Sequence, residues 1–196
     1  MSEETLIHKP ATILERFDLA ALFPKAQLLE VELGSGDGSF LVKYAALRPE
    51  VNFFGVERLL GRLRKIDKKG RRVGLTNLRV VRIEAAYFLE YLLPQNSAVA
   101  IHVYFPDPWP KRKHRKNRLI NDAFPPLAKA ALQPGGIVYL RTDDADYFSQ
   151  LKTVFAASPL FSEVSTPEAL ATVQTDFERG FLAKGIQTNR AAYRVK

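Results

Sequence analysis

Glu30-Val31-Glu32-Leu33-Gly34-Ser35-Gly36-Asp37-Gly38-Ser39-Phe40 reads as the end of a strand, a glycine-rich turn and the start of a helix. Glycines at alternate positions let the backbone turn sharply and let a ligand come close at the mouth of the helix. Outward from this junction, apolar strand-like runs at Leu28 to Leu33, Val51 to Val56, Leu78 to Ile83, Ala98 to Phe105 and Ile137 to Leu140 alternate with segments at helical spacing. Phe40-Leu41-Tyr44-Ala45 and Phe124-Leu127-Ala128-Ala131 are the clearest of those helical segments. The rhythm predicts βαβ units: an α/β, doubly wound, mostly parallel sheet with helices on both faces and ligands at the carboxyl ends of its strands. Gln133-Pro134-Gly135-Gly136 reads as a tight stop between one helix and the next strand. Residues 1–24 read as an N-terminal extension and 25–196 as one domain.

With 196 residues, 46% of them hydrophobic, the chain can bury a core without crosslinks or metals. A formal net charge of +8 and a pI near 9.7 favour a polyanionic partner, with RNA and DNA both open. The absence of cysteine removes disulfides, thiolate ligands and thiol nucleophiles together, and His8, His102 and His114 are too scattered to form a metal-ligand cluster. Met1-Ser2-Glu3-Glu4 is acidic with no apolar stretch behind it, and no run is long enough to span a bilayer, so the expected location is cytoplasmic.

The charges around the glycine turn narrow its ligand. Gly55-Val56-Glu57 ends the second strand with an acid placed as a ribose-hydroxyl acceptor would be in a nucleotide-binding sheet. Glu32 before the turn and Asp37 within it would repel a pyrophosphate. The same acids, with Gly34 and Gly36, suit a ligand carrying a sulfonium and an amino group, which is S-adenosylmethionine. Glu84, after the third strand, is either an acceptor for the adenine amino group or a solvated strand-end acid. Glu30 shares a strand face with Glu32 and calls for a salt bridge or an edge position.

A second informative stretch is Phe105-Pro106-Asp107-Pro108-Trp109-Pro110, which runs straight into Lys111-Arg112-Lys113-His114-Arg115-Lys116-Asn117-Arg118. Its prolines fix φ and remove backbone donors, so the segment forms a held loop that displays Asp107 beside a dense cationic run. A carboxylate that can accept from a base edge, next to cations that neutralise phosphates, suits chemistry on a nucleic acid. Trp109 either stacks on a base or packs the turn against the domain. Thr175 to Glu178 reads on spacing as a capped helix start, which does not exclude substrate contact.

Glu32-Leu33-Gly34-Ser35-Gly36, Gly55-Val56-Glu57, the Asp107 turn with its basic tail, Arg141-Thr142-Asp143 and Thr175-Asp176-Phe177-Glu178-Arg179-Gly180 together make the chain similar to the bacterial tRNA (guanine-N7)-methyltransferases. The resemblance covers nearly everything after the N-terminal extension. It implies a class I methyltransferase fold with an antiparallel C-terminal hairpin, and methylation of guanine N7 in the tRNA variable loop. It assigns Glu32, Glu57 and Glu84 to the cofactor, and Asp107 to both the cofactor side and catalysis. Lys111, Asp143, Thr175, Asp176, Phe177 and Glu178 match its substrate-binding positions. The chain departs from the pattern at Ala85-Ala86, where a polar residue is frequent, and at Asp176, where lysine or another polar residue is common. The expected partners are tRNA and no membrane or metal, in a monomer or homodimer.

Guanine N7 carries an in-plane lone pair and no proton, so methylation there needs alignment more than a general base. Asp107 then orients the guanine, with Asp143 or Glu178 helping, and nearby acids stabilise the cationic product. Two other readings stay open: methylation of an exocyclic amine, because an Asp-Pro-aromatic turn also resembles the amino-methyltransferase motif, and a non-catalytic RNA-binding protein on the same scaffold.

Overall fold

The computed structural model describes residues 5–196; the acidic start Met1 to Glu4 lies outside the described residues. In chain order the elements are β1 (Ile7–His8), α1 (Leu19–Leu22), β2 (Leu28–Leu33), α2 (Leu41–Leu47), β3 (Val51–Val56), α3 (Leu60–Arg72), β4 (Leu78–Val81) and α4 (Ala85–Tyr87), which continues as a π turn. Then come β5 (Ala98–Tyr104), a 3-10 helix (Arg112–Asn117), α5 (Phe124–Ala131), β6 (Leu132–Thr142), α6 (Ala145–Ala157), β7 (Phe161–Val164), α7 (Glu168–Ala171), α8 (Asp176–Leu182) and β8 (Asn189–Val195).

The strands form one eight-stranded sheet in the order β1-β4-β3-β2-β5-β6-β8-β7. The pairs from β1 through β6 are parallel, and β8 runs antiparallel to both β6 and β7, which supplies the expected C-terminal hairpin. Strand order reverses between β2 and β5, the crevice where doubly wound sheets place ligands. β3 is buried along its whole length, as a parallel strand covered on both faces must be.

The two faces differ in chemistry. Val31, Leu33, Phe54, Val56, Ile101, Val103, Val138 and Leu140 meet the π turn, α5 and α6 in an apolar layer. Because side chains alternate along a strand, the opposite face presents Glu30 and Glu32 from β2, His102 and Tyr104 from β5, and Tyr139 and Arg141 from β6. That face is covered by Phe40, α2 and α3, with α7 adding Leu170. Glu30 takes the salt-bridge alternative: its carboxylate meets His102 Nε2 at 2.7 Å and Arg48 at 3.4 Å, and His102 Nδ1 lies 2.8 Å from the Tyr104 hydroxyl. A buried carboxylate on a central strand is tolerable because each oxygen has a partner.

Three boundaries differ from the sequence expectation. The third expected strand stops at Val81, because Glu84 turns the chain and caps α4 by accepting from the Tyr87 amide at 2.8 Å. The fourth stops at Tyr104, since Phe105 has φ of 50°. Gln133 to Gly136 lies within β6 as a bulge: Leu132 pairs with Ala98, and the next registered pair is Ile137 with Ala100. The described part of the N-terminal extension packs onto the domain, with β1 extending the sheet edge and Phe17 and Phe23 entering the core.

Candidate active site

The expected cofactor residues converge at the carboxyl ends of β2, β3 and β4. Gly34 and Gly36 have φ of 75° and 55°, and a Cβ added at either would meet nothing within 4 Å, so the turn presents bare backbone to open space. Glycine is required at Gly55 for packing: a Cβ there would sit 2.4 Å from Leu41 and 2.9 Å from the Ser35 hydroxyl.

The amides of this turn are already engaged. Gly34 and Ser35 donate to the Val56 carbonyl at 2.9 and 3.0 Å, Gly36 to Glu57 Oε2 at 2.9 Å, Gly38 to the Ser35 carbonyl at 2.9 Å and Ser39 to Asp37 Oδ1 at 3.2 Å. Most of the donors that would cradle a diphosphate are therefore spent inside the fold. Glu57 also accepts from the Leu59 amide at 2.8 Å through its other oxygen, so its carboxylate ties the turn to the end of β3.

Glu32 is the unsatisfied member. It is buried, its Oε2 has no hydrogen-bond partner, and burial pushes its carboxyl up to about 8, with the Ser35 hydroxyl and Arg141 guanidinium offsetting only part of that effect. A buried, half-unpartnered carboxyl beside an open glycine turn is matched by a cationic ligand. Asp37 behaves differently: partial burial raises its carboxyl, but Lys69, 2.6 Å away, and Ser39 outweigh it and leave Asp37 below the usual range.

The Asp107 turn follows β5, the immediate neighbour of β2. Phe105 and Trp109 both have positive φ, 50° and 43°, so the turn is strained at two non-glycine positions as well as locked by proline. Asp107 is exposed. Trp109 packs edge-to-face on His114 with centroids 5.9 Å apart, which fixes the turn to the 3-10 helix. Lys111 precedes that helix and is exposed, as are Arg112, Lys113, Arg115 and Lys116.

Arg118 corrects the reading of the whole basic run as phosphate-facing. It is buried, and its guanidinium donates to the Pro108 carbonyl, Gln150 and Asp146, each at 2.6 Å. It also lies 4.7 Å over the Tyr147 ring, so this cation clamps the Asp107 turn to α6.

The C-terminal segment closes over the same edge. Thr175 caps α8 by accepting from the Glu178 amide at 2.9 Å, and the Asp176 amide donates to Ser39 Oγ at 3.0 Å, joining α8 to the glycine turn. Phe177 is 53% exposed and its ring faces Phe105 at 6.5 Å. Glu178 is fully buried, with its carboxylate held by Arg141 at 3.0 Å and by Arg190. It therefore positions α8, and as the structure stands its carboxylate is not presented to a substrate. Arg141 also donates to the Val173 carbonyl at 2.8 Å and the Leu170 carbonyl at 2.6 Å.

Asp143 is half-buried directly after β6, the neighbour of the strand β5 that leads into the Asp107 turn. Glu84 is an exposed helix cap after β4. Sequence reasoning misses the anchoring roles of Arg118 and Arg141, whose acidic partners lie 28 and 37 residues away. The one available signal is that Arg141 is the single charged residue of β6. Among the described residues no group of three or more His, Asp or Glu could hold a metal, and no helix is long and apolar enough to cross a membrane.

Comparison with known proteins agrees with this geometry. A family described as putative methyltransferases matches residues 26–191. A tRNA (guanine-N(7)-)-methyltransferase of Halorhodospira halophila is 36% identical over 184 residues, 91% of this chain and 80% of that protein. One from Chromohalobacter salexigens is 37% identical over 154 residues, 79% of this chain and 63% of that protein. Among solved structures, a 16S rRNA methyltransferase, KamB, superimposes with a TM-score of 0.62 at 16% identity, covering 93% of this chain and 95% of that one, a likeness of fold.

Proposed function

This chain belongs to the tRNA (guanine-N7)-methyltransferase family, and from that premise we propose that it methylates guanine N7 in tRNA, in the variable loop, with S-adenosylmethionine as donor. The observation that carries the reading is a juxtaposition. A buried carboxyl that needs a cation, Glu32, stands one residue before the end of β2, and an exposed carboxylate on a locked turn, Asp107, follows the adjacent strand β5 and leads into a cationic segment.

Glu32 would hold the positively charged part of the donor, Gly34 and Gly36 would give it room, and Glu57 would hold the turn while offering its remaining lone pairs to the ribose. Bound there, S-adenosylmethionine would supply a methyl group made electrophilic by its sulfonium, the N7 lone pair forming the N–C bond as the C–S bond breaks and its electron pair stays on sulfur, which leaves a neutral thioether. Asp107 accepts from donors on the guanine and fixes N7 in line, and Asp143, directly after the neighbouring strand β6, adds negative charge where the base becomes cationic. Phe177, exposed beside Phe105, offers a face for the base, and Thr175, Asp176 and Glu178 hold α8 so that it does. Lys111 and the exposed cations behind it neutralise phosphates flanking the target.

Incubation with unmodified tRNA and methyl-labelled S-adenosylmethionine, followed by digestion, tests the reading. Labelled 7-methylguanosine is expected. A labelled exocyclic amine would move the chemistry to that group, and tRNA binding with neither label nor cofactor binding would leave an RNA-binding protein.

Glu32 gives a second expectation. With its carboxyl at about 8, the free protein holds a proton there at pH 7. A cation bound against it selects the ionised form, so binding at pH 7 releases close to one proton, and affinity rises with pH toward about 8. By the same linkage the free domain loses stability as pH rises from 4.5 toward 8, because only the unfolded chain has already released that proton. Calorimetric titration of S-adenosylmethionine in buffers of different ionisation enthalpy measures the release, and Glu32→Gln should abolish it. No buffer dependence in the unsubstituted protein would show that Glu32 does not meet the ligand's charge.

A further inference from the structure

The basic loop after Asp107 is one of two concentrations of cations in the chain, and the other is a helix. α3, Leu60-Gly61-Arg62-Leu63-Arg64-Lys65-Ile66-Asp67-Lys68-Lys69-Gly70-Arg71-Arg72, carries seven Arg or Lys in 13 residues against one acid. Leu63, Ile66 and Gly70 form its buried edge, which turns Lys65, Lys68 and Arg72 outward on one face at i, i+3 and i+7, with Arg64 beside them.

Among the described residues the acids near this face are occupied, and Asp176 in the adjoining groove pairs with Arg179. Asp67 accepts from the Leu6 amide at 2.7 Å and pairs with Arg71 at 3.6 Å, and Asp37 pairs with Lys69 at 2.6 Å. No ion pair among the described residues engages Arg64, Lys65, Lys68 or Arg72. Four uncompensated cations on one helix repel each other, and the arrangement is stabilised by a polyanion laid across them.

The face is continuous with the candidate active site. α3 begins three residues after Glu57, and Lys69 braces the glycine turn through Asp37. A groove of about 320 Å³ runs from Arg72 and Lys43 past Ser39 to Asp176 and Arg179 of α8. Phe177 on that same helix faces Phe105 and hence the Asp107 turn. A strand of RNA leaving the target base over α8 would meet this groove and then α3.

We infer that the outer face of α3, with Lys43 in the groove, is a second phosphate-binding surface for the tRNA, separate from the Lys111 to Lys116 segment. The inference rests on the reading of the chain as a tRNA methyltransferase and adds a place where the body of the tRNA is held.

The test uses the full chain and labelled unmodified tRNA, with affinity measured across a salt series. Lys65→Ala/Lys68→Ala/Arg72→Ala is compared with a charge-matched control, Lys25→Ala/Lys152→Ala/Lys196→Ala, whose residues are exposed elsewhere. Each lost phosphate contact lowers the log–log salt slope by about 0.7–0.9, so the α3 set should lower it by about 2 while the control leaves it unchanged. S-adenosylmethionine affinity, which the three side chains do not touch, should stay the same in the α3 set. An unchanged slope, or an equal loss in the control, overturns the inference. So does loss of binding to anionic vesicles with tRNA binding intact, which would make the face a membrane surface. If the alanine set unfolds, the glutamine set at the same positions gives the same readout. Failure of the unsubstituted chain to form 7-methylguanosine would sink the functional reading while the salt slopes still decide this one.

Discussion

Asp107→Ala is expected to lower 7-methylguanosine formation by about 10²–10³-fold, the size of effect seen when one preorganised electrostatic contact to a developing charge is removed. tRNA affinity should hold. The side chain is exposed, it makes no contact to a phosphate in the proposed reading, and its loss makes an already basic chain more positive. The turn should survive, because its shape comes from three prolines and from Arg118 holding the Pro108 carbonyl at 2.6 Å, not from the carboxylate. Asp107→Asn separates two contributions: it keeps an acceptor oxygen for the guanine but no charge for the cationic product. An asparagine variant as active as the unsubstituted chain would show that orientation is all the residue supplies. Single-turnover rates at saturating tRNA, with affinities measured in parallel, decide the matter; affinity falling in step with rate would make Asp107 a binding residue.

The elements that position this carboxylate were readable because they are local. Parallel strands covered on both faces write themselves as short runs rich in apolar residues, and β2 and β3 fall where Leu28 to Leu33 and Val51 to Val56 place them, with Glu30 and Glu32 as the exceptions in β2. The glycine turn and the proline-locked turn are equally local, since each is specified by the conformations its own residues allow. Arg118 and Glu178 are different. In a run of cations nothing marks Arg118 as the buried one until Asp146 and Gln150 arrive from α6. Glu178 stands at the spacing of a capping box, and Thr175 does cap the helix, but the carboxylate goes to Arg141 and Arg190 instead of back to the cap. Which side of a charged residue faces the solvent is a property of the packing, and the packing here is long-range. The same holds for α3: its charge is plain in the composition, but the face that stays free follows only from the Leu63, Ile66 and Gly70 edge.

Arg141→Met is expected to destabilise the domain by about 3–5 kcal/mol, the usual cost of breaking a buried ion pair by removing one partner. The residue is only 2% exposed, and its loss strips a donor from Glu178, removes the donor to the Val173 carbonyl and leaves the Leu170 carbonyl with only the Val173 amide. A domain of this size moves about 2–4 °C per kcal/mol, so the unfolding midpoint should drop by roughly 6–20 °C. Arg141 also joins β6 to α7, to the α7–α8 connection and to α8 at once, with its guanidinium 4.2 Å over the Tyr104 ring. The damage should therefore be uneven. Amide exchange in residues 170–182 should accelerate at temperatures where the sheet is still protected, because β2, β3 and β5 keep all their partners. Glu178→Gln in the same chain removes the charge left behind and should recover part of the loss, with a coupling energy of about 0.5–3 kcal/mol between the two positions. Additive effects would mean that the two residues stabilise α8 independently. Uniform loss of protection across the sheet would mean that Arg141 supports the core as a whole, and α8, with Phe177 beside the Asp107 turn, would then not be a separately held wall of the site.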